Sequence, residues 1–238
     1  MQRSPMYSSG IPAGIKRCRP YFSAWVLLLI CSTAFMFISG KTGSFLSLNT
    51  WHPFFLNVFF INYTFLGDGI FAIGLILFLC YQKRFRVATG LLLSFLVSGL
   101  IVQIIKNLVI APRPKIYFEK GQYLYFIEGV SHGGLSSFPS GHTATAFALA
   151  TIIVFMINRK NLQLPVLAAA ALVGYSRIYL AQHFLADVIV GSLIGCLSGI
   201  TAVYFVNNAK PLYRNLLQKL PYKNKDKDEN ASPSMQAA

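Results

Sequence analysis

Apolar runs of roughly twenty residues recur along the chain and are parted by short polar breaks. Wound as α-helices, runs of that length match the hydrocarbon thickness of a bilayer. They predict six spans, over residues 21–38, 65–82, 87–109, 139–158, 162–180 and 184–207. Only Lys83-Arg84-Phe85-Arg86 separates the second from the third, and Arg159-Lys160-Asn161 the fourth from the fifth. Connections that short force antiparallel hairpins. A further apolar stretch, Phe54–Tyr63, is too short to cross alone, and Asn62 with Gly67-Asp68-Gly69 interrupts its junction with the next run. It is expected to lie in the interface or to re-enter. The expected fold is all-α: an integral membrane bundle of six transmembrane helices plus a short interfacial helix.

Composition agrees. Of 238 residues, 55% are hydrophobic and only 12% charged, and the mean hydropathy is +0.54. A soluble domain carries about twice that charged share, so a water-soluble globule of ordinary surface is excluded, as is disorder over most of the chain. The 20 Phe and 12 Tyr suit the aromatic belts of a bilayer. Cys31, Cys80 and Cys196 sit in apolar runs and Cys18 in a basic leader. Four cysteines at this length make no disulfide framework, so they read as packing residues.

The net charge of +14 raises nucleic acid as a partner, but the basic residues do not cluster on a polar surface as that would need. They sort by membrane side. Arg3, Lys16, Arg17 and Arg19, then Lys83, Arg84 and Arg86, then Arg159 and Lys160, then the run from Lys210 to Lys227 fall on one side. Lys41, Arg113, Lys115, Lys120 and Arg177 fall on the other, and Lys106 lies inside the third run. The positive-inside rule places both termini in the cytoplasm, where the basic charge also favours anionic lipid headgroups. Residues 1–20 read as a cytoplasmic leader, 21–207 as the membrane domain, and 208–238 as a polar cytoplasmic tail expected to be disordered. The first run lacks a small-residue cleavage site after it and is expected to be a retained helix. Asn62-Tyr63-Thr64 is a glycosylation triplet, a common pattern that carries no weight here.

The chemistry lies at the outer helix ends. Lys106 and Arg113-Pro114 flank the end of the third run, Pro139-Ser140-Gly141-His142 opens the fourth, Ser176-Arg177 closes the fifth, and His183 with Asp187 opens the sixth. The stretch from Thr143 to Tyr175 suffices for one helix down and one back, so the groups flanking it return to the same face. Each has a bland reading: Lys106 can snorkel, Ser140 can cap a helix, Asp187 can complement a helix dipole. Together they place three cations, two histidines and a carboxylate at one depth, where ionisable groups are costly and mark function.

Such a set suits phosphoryl transfer. Arg113 and Arg177 offer planar donor forks and Lys106 a point charge. Ser140 with the backbone N–H groups of Gly141 and His142 stands at a helix N-terminus, a ready anion site. His183 and Asp187, spaced i, i+4, share a helix face, so the carboxylate can hold the imidazole with one nitrogen free to attack. His142 is then available to protonate the leaving oxygen. The cations can stabilise the charge that Mg²⁺ handles elsewhere, so no metal and no cofactor is expected. Asp68 reads as a first-turn helix acid near the site. His132 reads as a loop residue, and the aromatics Tyr117, Phe118, Tyr123, Tyr125 and Phe126 as interface anchors.

Lys106-x6-Arg113-Pro114, Pro139-Ser140-Gly141-His142 and Ser176-Arg177-x5-His183-x3-Asp187 together resemble the three-part signature of the type 2 phosphatidic acid phosphatase superfamily, which also contains vanadium haloperoxidases and glucose-6-phosphatase. The signature region runs over 106–187, and the resemblance covers residues 65–207 with every signature position filled. It implies that His183 is the nucleophile forming a phosphohistidine, Asp187 its orienting partner and His142 the general acid. It assigns Lys106, Arg113, Ser140, Gly141 and Arg177 to the phosphoryl oxygens. The expected function is an integral-membrane lipid phosphatase facing the extracytoplasmic side of the cell's inner membrane. Its expected substrate is a lipid phosphate or diphosphate, with undecaprenyl diphosphate or a related envelope lipid favoured. Phosphatidate, phosphatidylglycerophosphate and the lipid A 1-phosphate are the other candidates. A lipid phosphotransferase would use the same phosphohistidine with another acceptor. A transporter is disfavoured because the polar groups sit at helix ends rather than at the midplane, and a haloperoxidase because those enzymes are typically soluble.

Overall fold

The computed structural model describes residues 11–118, 125–127, 129–130, 133–156 and 159–208, with the backbone alone for 11 and 12. The polar tail, His132 and Tyr123 lie outside the described residues. Helix α1 (Ile11–Arg17) leads directly into α2 (Arg19–Leu48), whose Pro20 occupies the first turn, where no amide N–H is needed. The expected first span stops at 38, but α2 runs on to Leu48 across a kink at Gly40, where φ is 69° and ψ 175°. A side chain disfavours that conformation. No atom lies within 4 Å of the place a Cβ would take, so the backbone angle rather than crowding calls for glycine.

Helix α3 (Phe54–Tyr63) passes through a 3₁₀ turn (Thr64–Gly67) into α4 (Gly69–Tyr81). The helix within the second expected span therefore starts at Gly69 instead of 65. Asp68 is extended and its carboxylate accepts from the Ile70 N–H at 2.8 Å, so it caps α4 and ends the preceding turn. The two arms are bent by 55°, and only as a pair are α3 and α4 long and apolar enough to cross a membrane.

Next come α5 (Phe85–Leu108), the single turn α6 (Pro114–Tyr117) and α7 (Gly141–Met156). A 3₁₀ turn (Lys160–Leu162) then opens α8 (Gln163–Tyr179), and α9 (Leu185–Asn208) follows. Among the described residues every named element is helical, with one isolated bridge between Ala111 and Ser136. Among the described residues four helices are long and apolar enough to cross a membrane, or five segments if the bent α3–α4 pair is one span. The span expected over 139–158 is α7, which at 16 residues is shorter than those. Met1–Asn207 form one unit and Asn208–Ala238 a second, of which only Asn208 is described.

Helix α7 is the centre of the first unit: every residue from Thr143 to Thr151 is buried. Between membrane helices, close packing substitutes for the hydrophobic effect, and small residues permit it. Gly191, Gly195 and Gly199 form an i, i+4, i+8 stripe on α9. A Cβ on Gly191 would lie 2.6 Å from the Ser140 carbonyl oxygen and one on Gly199 2.6 Å from Thr151 Cβ, while one on Gly195 would collide with the Ala144 carbonyl. At the far end of α7, Arg17 donates to the Phe155 carbonyl at 2.6 Å and Gln163 to the Arg17 carbonyl at 3.2 Å, fastening the α1–α2 junction there. Large apolar side chains such as Leu27, Ile38, Leu77 and Leu100 face outward, as a lipid-contacting surface requires.

Candidate active site

At the N-terminal end of α7 the backbone itself builds the site. Arg113 N–H donates to the Gly134 carbonyl and Ser137 N–H to the Ala111 carbonyl, both at 2.9 Å, which ties the segment after α5 to the segment before α7. Ser140 N–H donates to the Asp187 carbonyl at 3.0 Å, so the start of α7 is pinned to the start of α9. The Ser140 hydroxyl accepts from Thr143 N–H at 3.4 Å and from the Thr143 hydroxyl at 2.8 Å. It is thus an N-cap, and its own proton remains available to an anion. Gly141 opens the helix beside it. A Cβ there would meet only Val102 Cγ1 at 3.8 Å, so the helix N-terminus stays open to approach.

His183 and Asp187 are both buried, and His183 Nδ1 lies 3.3 Å from Asp187 Oδ2. That same oxygen accepts from the Ser137 hydroxyl at 2.5 Å and from the Phe184 N–H at 3.0 Å. The backbone of His183 donates to the Arg177 carbonyl at 3.2 Å, which carries the imidazole just past the end of α8. With Nδ1 turned to the carboxylate, Nε2 is the nitrogen on the ring's other edge. Burial, aided by Arg177 and Arg113 and opposed by Asp187, holds the imidazole down at about 4, so the ring is neutral and nucleophilic at neutral pH.

Around this ring stand the cations. Buried Arg177 donates through Nη1 to Thr64 Oγ1 at 2.6 Å, while its Nε is buried without a hydrogen-bond partner among the described residues. An unmet guanidinium donor is costly, and a phosphoryl oxygen would satisfy it. Arg113 donates through Nη1 to Gln182 Oε1 at 2.5 Å. Burial lowers its pKa and the Asp187 carboxylate opposes that shift. Half-buried Lys106 lies in the field of Arg113, Arg177 and Asp187. His142, on the first turn of α7, lies in the field of Arg177, Lys106 and His183, and its Nε2 is 3.6 Å from Asp68 Oδ2. Every residue singled out from the sequence for catalysis or phosphate binding therefore meets at one end of the bundle. Among the described residues no three His, Cys, Asp or Glu side chains gather as metal ligands do.

Three polar residues escaped the sequence reading. Ser137 completes the Asp187 environment, Thr64 anchors Arg177, and Gln182 holds Arg113 while its amide donates to the Val130 carbonyl. Ser137 had one usable signal, its place just before Phe138-Pro139-Ser140. Of the expected interface aromatics, Phe118 instead packs inward on Phe45 and Phe184, with ring centroids 5.5 and 6.1 Å away. Tyr117 and Tyr125 remain exposed.

The model of the PAP2 superfamily matches residues 87–211, from the start of α5 to beyond the end of α9, which takes in all of these groups from Lys106 to Asp187. The chain belongs to the PAP2 superfamily. Lipid phosphate phosphatase 1 of Arabidopsis thaliana is 37% identical over 155 residues, a match that covers 52% of this chain and 47% of that protein, so the chain spans about half the length of that relative. Lipid A 4'-phosphatase of Porphyromonas gingivalis is 30% identical over 161 residues, covering 65% of this chain and 68% of the relative. The crystal structure of Aquifex aeolicus LpxE superposes with a TM-score of 0.60 at 32% identity, over 67% of this chain and 92% of that one. This PAP2 protein is thus an all-helical, multi-pass membrane protein of a phosphatase family whose relatives act on lipid phosphates.

Proposed function

We propose that this PAP2 protein is a metal-independent phosphatase that hydrolyses a lipid phosphate or diphosphate through a phosphohistidine on His183. The observation that carries the proposal is the buried His183 imidazole, its Nδ1 3.3 Å from Asp187 Oδ2, in a site that also gathers Arg113, Arg177 and Lys106. Arg113, Arg177, Lys106, Ser140 and the N–H groups at Gly141 and His142 hold the phosphoryl oxygens and stabilise charge in the transition state. His183 Nε2 forms the N–P bond as the P–O bond to the leaving group breaks, and His142 gives its proton to the departing oxygen. His142 then takes a proton from water as the water oxygen attacks phosphorus, which releases inorganic phosphate and frees His183.

The site belongs on the extracytoplasmic face of the inner membrane, in a domain of six crossings over 21–207 with both termini cytoplasmic. The charge asymmetry of the loops supports that orientation. An envelope lipid is the favoured substrate, either undecaprenyl diphosphate or, in keeping with the name of the Porphyromonas gingivalis relative, a lipid A phosphate. The test is phosphate release by purified protein in detergent with a chelator present. The panel holds undecaprenyl diphosphate, lipid A, phosphatidate and phosphatidylglycerophosphate, with vanadate as inhibitor and His183→Ala as control. Release from one of them that vanadate and His183→Ala both abolish is the expected result. A folded protein that releases nothing from the panel overturns the proposal.

A further inference from the structure

Asp68 lies outside the three signature stretches, in the bend between α3 and α4, yet its carboxylate faces the site. The bend is seated tightly. A Cβ on Gly67 would fall 2.7 Å from the His142 carbonyl oxygen and 2.7 Å from Val173 Cγ1, so only glycine lets the turn approach the first turn of α7 this closely. The two carboxylate oxygens then divide their work. Oδ1 accepts from Ile70 N–H at 2.8 Å and caps α4, while Oδ2 stands 3.6 Å from His142 Nε2.

The charges around His142 make that second contact matter. Arg177 on α8, Lys106 on α5 and the His183 ring before α9 all face the imidazole, and a cation beside a histidine works against its imidazolium. A general acid must hold its proton until the leaving oxygen takes it. Among the groups facing His142, Asp68 is the one whose charge favours the imidazolium. Building on the phosphatase reading, we propose that Asp68 is a positioning residue that aims His142 at the leaving oxygen and favours its imidazolium form. In the resting protein the 3.6 Å separation is longer than a hydrogen bond, a spacing that commonly shortens once substrate is bound.

Asp68 also lies in the field of Arg177, so its removal could act on phosphate binding instead. Leaving-group dependence separates the two roles. An alkyl phosphate expels a strongly basic alkoxide and needs the proton, whereas a nitrophenyl phosphate expels a stable anion and does not. Phosphate binding is common to both.

The variants are Asp68→Asn and Asp68→Ser, each of which can still cap α4 without the charge, assayed beside the wild type on dodecyl phosphate and on a dodecyl-substituted nitrophenyl phosphate. The expected loss in kcat/KM, which reports the step that expels the leaving group, is about 30-fold or more on the alkyl ester and under about threefold on the nitrophenyl ester, within the range that general acids contribute. The basic limb of the alkyl-ester profile should also move to lower pH. Equal losses on both esters, or no loss on either, overturn the role of Asp68 while the phosphatase reading stands. A folded wild type that hydrolyses neither ester overturns both.

Discussion

The Ser137 hydroxyl sits 2.5 Å from Asp187 Oδ2, the oxygen that also faces His183 Nδ1. A carboxylate that accepts three hydrogen bonds at one oxygen is held in place and kept ionised. Ser137 therefore acts on the imidazole through the acid. Ser137→Ala should lower kcat about 10-fold, the order expected for one hydrogen bond to a charged group, with KM little changed. Steady-state phosphate release checks this. The loss in Asp187→Asn should be larger, and the double variant should fall well short of the product of the two single losses, because both residues act through the same ring.

The His183 imidazole should titrate near 4, well below its ordinary 6.5, because burial disfavours the charged ring. Histidine resonances in labelled protein, assigned by their loss in His183→Gln, report that midpoint directly. The sign for stability follows. The unfolded chain takes up the proton first, so the stability present above pH 6.5 falls on acidification and the loss is complete below about 4. Thermal unfolding in detergent should show the decline between pH 6.5 and 5, and His183→Gln should flatten it.

Arg177 uses one nitrogen for Thr64 and keeps a second buried without a partner among the described residues. A lysine cannot reproduce that fork. Arg177→Lys should cost about 10- to 100-fold in kcat/KM and weaken vanadate inhibition in parallel. Thr64→Val should show a smaller change of the same kind, measurable in the same inhibition assay.

Glycine positions on α9 and α4 should respond in opposite ways. Gly195 faces the α7 backbone, so Gly195→Ala should sharply reduce the folded, monodisperse protein recovered in detergent. Gly74 has nothing within 4 Å of its would-be Cβ, so Gly74→Ala should be neutral or stabilising by about 0.5 kcal/mol. Melting temperature and size-exclusion profile distinguish the two.

The helices were legible because lipid-length apolar runs leave an unambiguous trace. Their ends were less so. Gly40-Lys41 stops a hydropathy run without stopping α2, and the capping carboxylate of Asp68 starts α4 inside an apolar stretch. The site was legible where residues are charged or paired on one helix face, as with His183 and Asp187. Thr64, Ser137 and Gln182 were not. They are neutral polar residues in turns, and they meet partners 113, 50 and 69 positions away in the chain, which no local pattern encodes.

The close seating of α9 on α7 reaches into the chemistry. Gly191 rests against the Ser140 carbonyl, and the Ser140 amide is bonded to the Asp187 carbonyl, so two main chains set the gap between the start of α7 and the His183–Asp187 pair. No side-chain swap can widen that gap without first prising the helices apart. Variants that alter only side chains around the site should therefore keep the spacing between Ser140 and the His183–Asp187 pair.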